Sequence, residues 1–281
     1  MQARKFAWTG VPLPLIGQGT YLMEHDREAD AVAALRAGFD AGMTHVDTAE
    51  LYGSGSIEEL VGRAIEGRRD QLFLVSKVMP SNATHAGTIK ACERSLKRLR
   101  TDRLDLYLLH WPGHHPLEQT LSGFEELERS GKIRFFGLSN FDVPELEQAI
   151  AIVGDRRIAC NQVLYHLEER SIEHRVLPFC ERHDIAVVGY SPFGAGRFVS
   201  ERSAGFRVLA SIAKAHGATP RQIALRFLVR RDSLFAIPKA AAAAHVRDNA
   251  RAGDLELTDD ELRQIDRAFP PGADRGSLPT A

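Results

Sequence analysis

The seven residues LDLYLLH (104–110) are apolar at five positions and end in a histidine. A half-exposed strand would place a polar side chain at every second position, and a helix would need a longer segment. A short run that is apolar on both faces belongs to a strand covered from both sides, as in parallel sheets. Seven other short runs recur along the chain, several of them nearly as continuous in apolar character: PLIGQG (14–19), THVDT (44–48), LFLVSK (72–77), RFFGLS (134–139), IACNQV (158–163), IAVVGY (185–190) and LFAIP (234–238).

Helical spacing fills the gaps. READAVAALRAGFDAG (27–42) puts Ala31, Leu35 and Phe39 on one face and stops at Gly42. GSIEELVGRAIEG (55–67), AGTIKACERSLKRL (86–99), LEQTLSGFEELERSG (117–131), VPELEQAIAIVG (143–154) and HRVLPFCERH (174–183) repeat the theme. Two helical stretches, near 206–216 and 220–230, separate the seventh and eighth runs, and two more follow near 242–252 and 258–269. Eight strands alternating with helices predict a closed (β/α)8 barrel, a TIM barrel, occupying residues 1–281 as one domain with extra C-terminal helices. An N-terminal hairpin turned at Thr9-Gly10 is expected ahead of it. A doubly wound sheet is the competitor, but the pairs Gly17/Gly19, Gly53/Gly55 and Gly194/Gly196 all lack the third glycine of GxGxxG.

Composition bounds the function. Lys plus Arg (36) and Asp plus Glu (37) leave a net charge of −1, which argues against a general nucleic-acid or membrane-surface binder. Cys92, Cys160 and Cys180 form no CxxC and no zinc spacing, so no disulfide framework and no metal site are expected. The start, MQARKFAWTG, has no signal-peptide core, and a cytoplasmic monomer or weak oligomer is the expectation.

In such a barrel the carboxyl ends of the strands face the active-site mouth. The second run ends at Asp47, the third at Lys77 and the fourth at His110, with Tyr52 in the loop after the second. Each has an ordinary structural explanation: a helix cap, a snorkelling lysine, a core histidine, a packed loop aromatic. Four such residues at one end of successive strands suit carbonyl reduction better. A phenol of pKa ~10 is a weak acid at neutral pH. An ammonium beside it favours the phenolate, and a buried carboxylate keeps that ammonium charged. Asp47 is expected to pair with Lys77, Lys77 to contact the Tyr52 hydroxyl and lower its pKa, Tyr52 to protonate the developing alkoxide, and His110 to orient the substrate oxygen. Hydride must come from a cofactor.

Along essentially its whole length the chain resembles the aldo-keto reductase superfamily, in its bacterial type with a short C-terminal tail. The match runs through GMTHVDTAELYGS, LFLVSKV, LDLYLLHWP, GKIRFFGLSNF, CNQVLYH, VVGYSPFG and AIPKA in that order. The resemblance implies a barrel that binds an extended nicotinamide dinucleotide without a Rossmann fold. It places Ser139, Asn140 and Gln162 on the carboxamide and Tyr190 against the nicotinamide ring. Gly19, Thr20 and Asp47 would line the ribose side, and Ser191, Pro192, Phe193 and Gly194, with Arg197 nearby, would approach the pyrophosphate. The segment IPKAAAAAHVRDN keeps Lys239, Asp248 and Asn249 of the pattern seen in NADPH-preferring relatives. Ala240 stands where a serine is usual and His245 where an arginine is usual, with Arg247 as a substitute if its helix face allows. NADPH is favoured and NADH remains usable.

Tyr21, Trp111 and Phe193 would form an aromatic wall around a small carbonyl substrate. His114 and His115 read as exposed loop residues. The family also contains cofactor-binding regulatory subunits with little turnover, such as the potassium-channel β subunits; the complete set of four strand-end residues argues for an enzyme. A short-chain dehydrogenase is excluded because none of the five tyrosines has a lysine four residues later.

Overall fold

A computed structural model describes residues 1–280. Strands β1 (Ala3–Lys5) and β2 (Pro12–Pro14) pair antiparallel, with Ala3 opposite Pro14. A single 3-10 turn at Ala7–Thr9 reverses the chain between them, and Gly10, at φ 67°, supplies the left-handed step. Eight parallel strands follow: β3 (Gln18–Gly19), β4 (His45–Asp47), β5 (Phe73–Val78), β6 (Leu104–Leu109), β7 (Ile133–Ser139), β8 (Ile158–Leu164), β9 (Ala186–Tyr190) and β10 (Leu234–Ala236).

Each strand pairs with its chain neighbours, and the sheet closes on itself. Gly17 N–H donates to the Ala236 carbonyl at 2.8 Å, Ala236 N–H to Leu15 at 3.0 Å and Gly19 N–H to Pro238 at 3.2 Å. The seam requires small residues: a Cβ on Gly19 would sit 2.7 Å from the Ile237 carbonyl oxygen. The helices are α1 (Glu28–Asp40), α2 (Ser56–Ala64), α3 (His85–Leu99), α4 (Leu117–Arg129), α5 (Val143–Val153), α6 (Val176–Arg182), α7 (Ala204–Ala215), α8 (Pro220–Leu228), α9 (Ala243–Ala252) and α10 (Asp259–Ala268). No helix among the described residues is long and apolar enough to cross a membrane.

Strand parity explains why the runs are continuously apolar. Phe73 and Val75, Leu106 and Leu108, and Ala186 and Val188 belong to the inner cluster that fills the barrel. Leu74, Tyr107, Phe136 and Val187 point outward, into a larger cluster with Leu35, Leu96 and Phe124 of the helices. Because side chains alternate, Lys77 continues the inward series of β5, the position after β6 (His110) continues that of Leu106 and Leu108, and Tyr190 continues that of β9. The barrel floor is closed by Phe6, fully buried, with its ring centroid 5.5 Å from Phe73 and 5.2 Å from Phe235. The last helix is held by Arg170, which is 2% exposed and donates to Glu173, to Asp266 at 2.6 Å and to the Phe269 carbonyl. All three cysteines are buried free thiols, and burial pushes Cys92 up to about 12.

His45 sits beside Phe6 and Phe73 with neither ring nitrogen hydrogen-bonded, and burial pushes its pKa down to about 4. A histidine with a depressed folded pKa contributes stability above its unfolded value, which is lost as pH falls toward the folded one. Between pH ~6.5 and ~4, His45 is therefore expected to cost about 1.4 kcal/mol per pH unit. Urea midpoints measured across that window should fall steeply for the wild type and less steeply for His45→Phe; parallel slopes would refute the assignment.

Candidate active site

The strand ends converge as their parity requires. Lys77 Nζ is fully buried and its three protons have three acceptors: Asp47 Oδ1 at 2.6 Å, the Thr48 carbonyl at 2.9 Å and the Tyr52 hydroxyl oxygen at 3.1 Å. Ammonium has no lone pair, so the Tyr52 oxygen must accept here, and the phenolic proton is turned away from Lys77. The Tyr52 ring lies 5.7 Å from that of His110 and 5.1 Å from that of Tyr21, and Trp111 stands 4.8 Å from His110.

The loop that carries Tyr52 is pinned to the segment that follows β5. Glu50, 8% exposed, accepts from the Met79 amide at 2.8 Å and from Asn82 Nδ2 at 2.9 Å. Gly53, Ser54 and Gly55, at φ 53°, 53° and 96°, then turn the chain sharply into α2. Glu50 was not anticipated from sequence. Its only signal is a charged residue between Asp47 and Tyr52 in a segment that is otherwise apolar or small.

The electrostatics correct one expectation. The Tyr52 pKa is not lowered but raised, because loss of hydration on burial outweighs the opposing field of Lys77. Lys77 limits the rise. For Lys77 itself, burial favours the neutral amine, but Asp47 and Tyr52 together outweigh it, and the pKa is raised. His110 is pushed down to about 2, chiefly by burial and then by Lys77, so its imidazole is neutral; its buried Nδ1 has no hydrogen-bond partner.

A second polar group joins the first. Gln162 Nε2 donates to Asp47 Oδ2 at 2.7 Å, and Thr20 Oγ1 to the Asp47 carbonyl at 2.9 Å. Tyr190 donates to Asn140 Oδ1 at 2.8 Å, Asn140 Nδ2 to the His110 carbonyl at 3.1 Å, and Ser139 Oγ to the Gln162 carbonyl at 3.0 Å. Gly19 lies in register with Asp47. Asn140 and Ser191 take left-handed backbone, φ 61° and 51°, which bends the chain across the barrel mouth. The Gln162 contact to Asp47 was not foreseen: one side-chain amide steadies the carboxylate while its carbonyl oxygen remains for another partner.

Farther out, a cavity of about 1110 Å³ is lined by Phe193, Arg221, Lys239, Ala240, His245 and Asn249 among others. Lys239 is ion-paired with Asp26 at 2.5 Å across it. Arg247 is exposed and does not line the wall, so the helix-face condition on which it could stand in at His245 is not met. Pro192, Gly194 and Arg197 border an adjoining recess with Phe193. Phe193 packs edge-on against Phe198 at 5.7 Å and belongs to this end, whereas Tyr21 stands beside Tyr52 and Trp111 beside His110. Tyr21 (51%) and Trp111 (37%) are exposed, as are Leu22 and Leu51, their neighbours at the rim; sequence reading missed these two leucines. An apolar rim around a buried charged cluster suits a small ligand that enters from water.

Comparison with known proteins agrees with this geometry. A model of the aldo/keto reductase family matches residues 15–269. The chain is 43% identical over 273 residues, 96% of each sequence, to the methylglyoxal reductase YeaE of Escherichia coli K12. It is 32% identical over 260 residues, 92% of this chain and 89% of the relative, to the glyoxal reductase of Bacillus subtilis 168. A crystal structure of an aldo-keto reductase from Klebsiella pneumoniae in complex with NADPH superposes with a TM-score of 0.92, at 42% identity and full coverage of both chains. The chain belongs to the aldo/keto reductase family.

Proposed function

We propose that this protein reduces small aldehydes and ketones, 2-oxoaldehydes such as methylglyoxal among them, to alcohols at the expense of NADPH. The observation that carries the proposal is the triple donation by Lys77, which leaves the Tyr52 proton as the one acidic hydrogen directed toward an incoming oxygen. Asp47 keeps Lys77 protonated, and Gln162 holds the carboxylate in place from its other oxygen. Neutral His110 has one N–H to donate to the carbonyl oxygen and fixes its direction. Tyr52 delivers its proton as charge builds on that oxygen, and the nearby ammonium stabilises the phenolate left behind.

The dinucleotide fits the chain's own donors. Buried Ser139, half-buried Asn140 and the buried side-chain oxygen Oε1 of Gln162 offer partners for a carboxamide. Tyr190, at the end of β9, would lie against the nicotinamide, and the cavity lined by Lys239 has room for the adenosine half. Bound there, the reduced nicotinamide supplies the hydride that the side chains lack. The K. pneumoniae relative was crystallised with NADPH, which supports that donor over NADH. Methylglyoxal and glyoxal reductases among the relatives support short dicarbonyl substrates, and the open rim of Tyr21 and Trp111 places little bulk in their way. We further take the chain to act as one catalytic domain in the cytoplasm.

The test is steady-state oxidation of NADPH with methylglyoxal and with a simple aromatic aldehyde. Turnover on the order of 1–1000 per second is expected. Tight nucleotide binding without turnover on either substrate would instead support a regulatory role.

A further inference from the structure

The wall of the large cavity carries three lysine or arginine cations, Arg27, Lys239 and Arg221. Two are neutralised within the protein. Arg27 pairs with Asp30 at 3.1 Å and Lys239 with Asp26 at 2.5 Å. Among the described residues Arg221 has no carboxylate within ion-pair distance. The other acids of the wall are elsewhere engaged or peripheral: Asp248 accepts from Gln222 Nε2 at 2.9 Å and Thr219 Oγ1 at 3.3 Å, and Glu201 is exposed at the rim.

Arg221 is also badly placed for stability alone. It is the second residue of α8, where a helix presents the positive end of its dipole and a cation is unfavourable. What holds it there is aromatic: the guanidinium carbon lies 4.7 Å from the Phe198 ring centroid and 5.8 Å from that of Phe193. Contact with ring faces immobilises the planar group and leaves its N–H edge free for an acceptor with matching geometry, such as phosphate. A cation that is unpaired, set against a helix dipole and braced over the same cavity as Lys239 and His245 is built for an anionic ligand.

We infer that Arg221 is the specificity-determining residue for the phosphorylated dinucleotide, gripping the 2′-phosphate from α8. It supplies the forked charge that the sequence lacks at His245. Lys239 contributes a second charge once the phosphate draws it from Asp26. The inference rests on the proposed NADPH-dependent reading and assigns the residue that makes the donor NADPH rather than NADH.

The experiment measures NADPH, NADH and 2′,5′-ADP affinities by fluorescence titration and competition on the full chain, for wild type, Arg221→Gln and Arg221→Lys, together with Tm and kcat. Arg221→Gln is expected to weaken NADPH and 2′,5′-ADP about 10- to 100-fold, as for a lost charge-assisted contact. NADH should stay within about twofold, the loss with NADPH should fall on KM more than on kcat, and Tm should be unchanged or higher. Arg221→Lys should recover part of the loss, because a point charge replaces a fork. Equal losses for both dinucleotides, no loss, or a lowered Tm accompanying a general loss would overturn the assignment. Wild-type protein that binds no dinucleotide would overturn the nucleotide reading itself, which a failure confined to Arg221→Gln would leave standing.

Discussion

Tyr52→Phe is expected to lower kcat for methylglyoxal reduction by about 100- to 10,000-fold, the range for removal of a positioned general acid. NADPH affinity should stay within a few-fold, because the hydroxyl faces Lys77 and the substrate side. The substitution removes one oxygen and keeps the ring. Its contacts with Tyr21 and His110, and the approach of Lys77 Nζ to 4.9 Å from the ring centroid, all survive. The cost to folding is one lost acceptor for a buried ammonium that retains Asp47 and the Thr48 carbonyl, about 1–3 kcal/mol. Activity and stability therefore separate: a folded, NADPH-binding and nearly inactive variant is the expected result. Unimpaired reduction by this variant would remove Tyr52 from the proton-transfer role.

What was legible in the sequence follows from period two. A parallel strand alternates inward and outward positions, so Lys77, two residues beyond Val75, inherits its direction, and His110 inherits that of Leu108. Strand identity and strand-end chemistry thus come from the same local pattern. The features that escaped depend on partners far apart in the chain. Gln162 reaches Asp47 across 115 positions, and Lys239 meets Asp26 from the opposite side of the barrel seam. Arg221 looks like any charged residue near a helix start until the fold sets it on the wall of the same cavity as Lys239. The direction of the Tyr52 shift was misjudged for a related reason: the nearby lysine was visible as a motif, whereas the depth of burial that outweighs it is a property of the assembled barrel. Phe193 was assigned to both ends of the site because its neighbours in sequence do not reveal which wall its ring joins.

Asp47→Asn should destabilise the fold by about 3–5 kcal/mol and nearly abolish turnover, since it strands a buried ammonium. The asparagine oxygen can accept from Lys77 or from Gln162 but not serve both as the carboxylate does. A second substitution separates the two effects. In Asp47→Asn/Lys77→Met the charge is gone with its partner, and an apolar chain of similar length fills the space. Most of the lost stability should return while activity stays absent, because replacing a whole buried pair is far less costly than halving it. The pH dependence supplies an independent check. In the wild type the Lys77 pKa is raised above its ordinary 10.5, so its contribution is complete below that pH and is lost only as pH climbs through the folded value. Without Asp47 the burial term dominates and the sign reverses, so Asp47→Asn should gain stability relative to wild type as pH rises toward 10.5. Urea midpoints of the two proteins at pH 7 and pH ~9.5 read that difference directly. A constant gap between them would mean that Asp47 does not hold the charge on Lys77, and the proton-donor geometry built on that pair would fall with it.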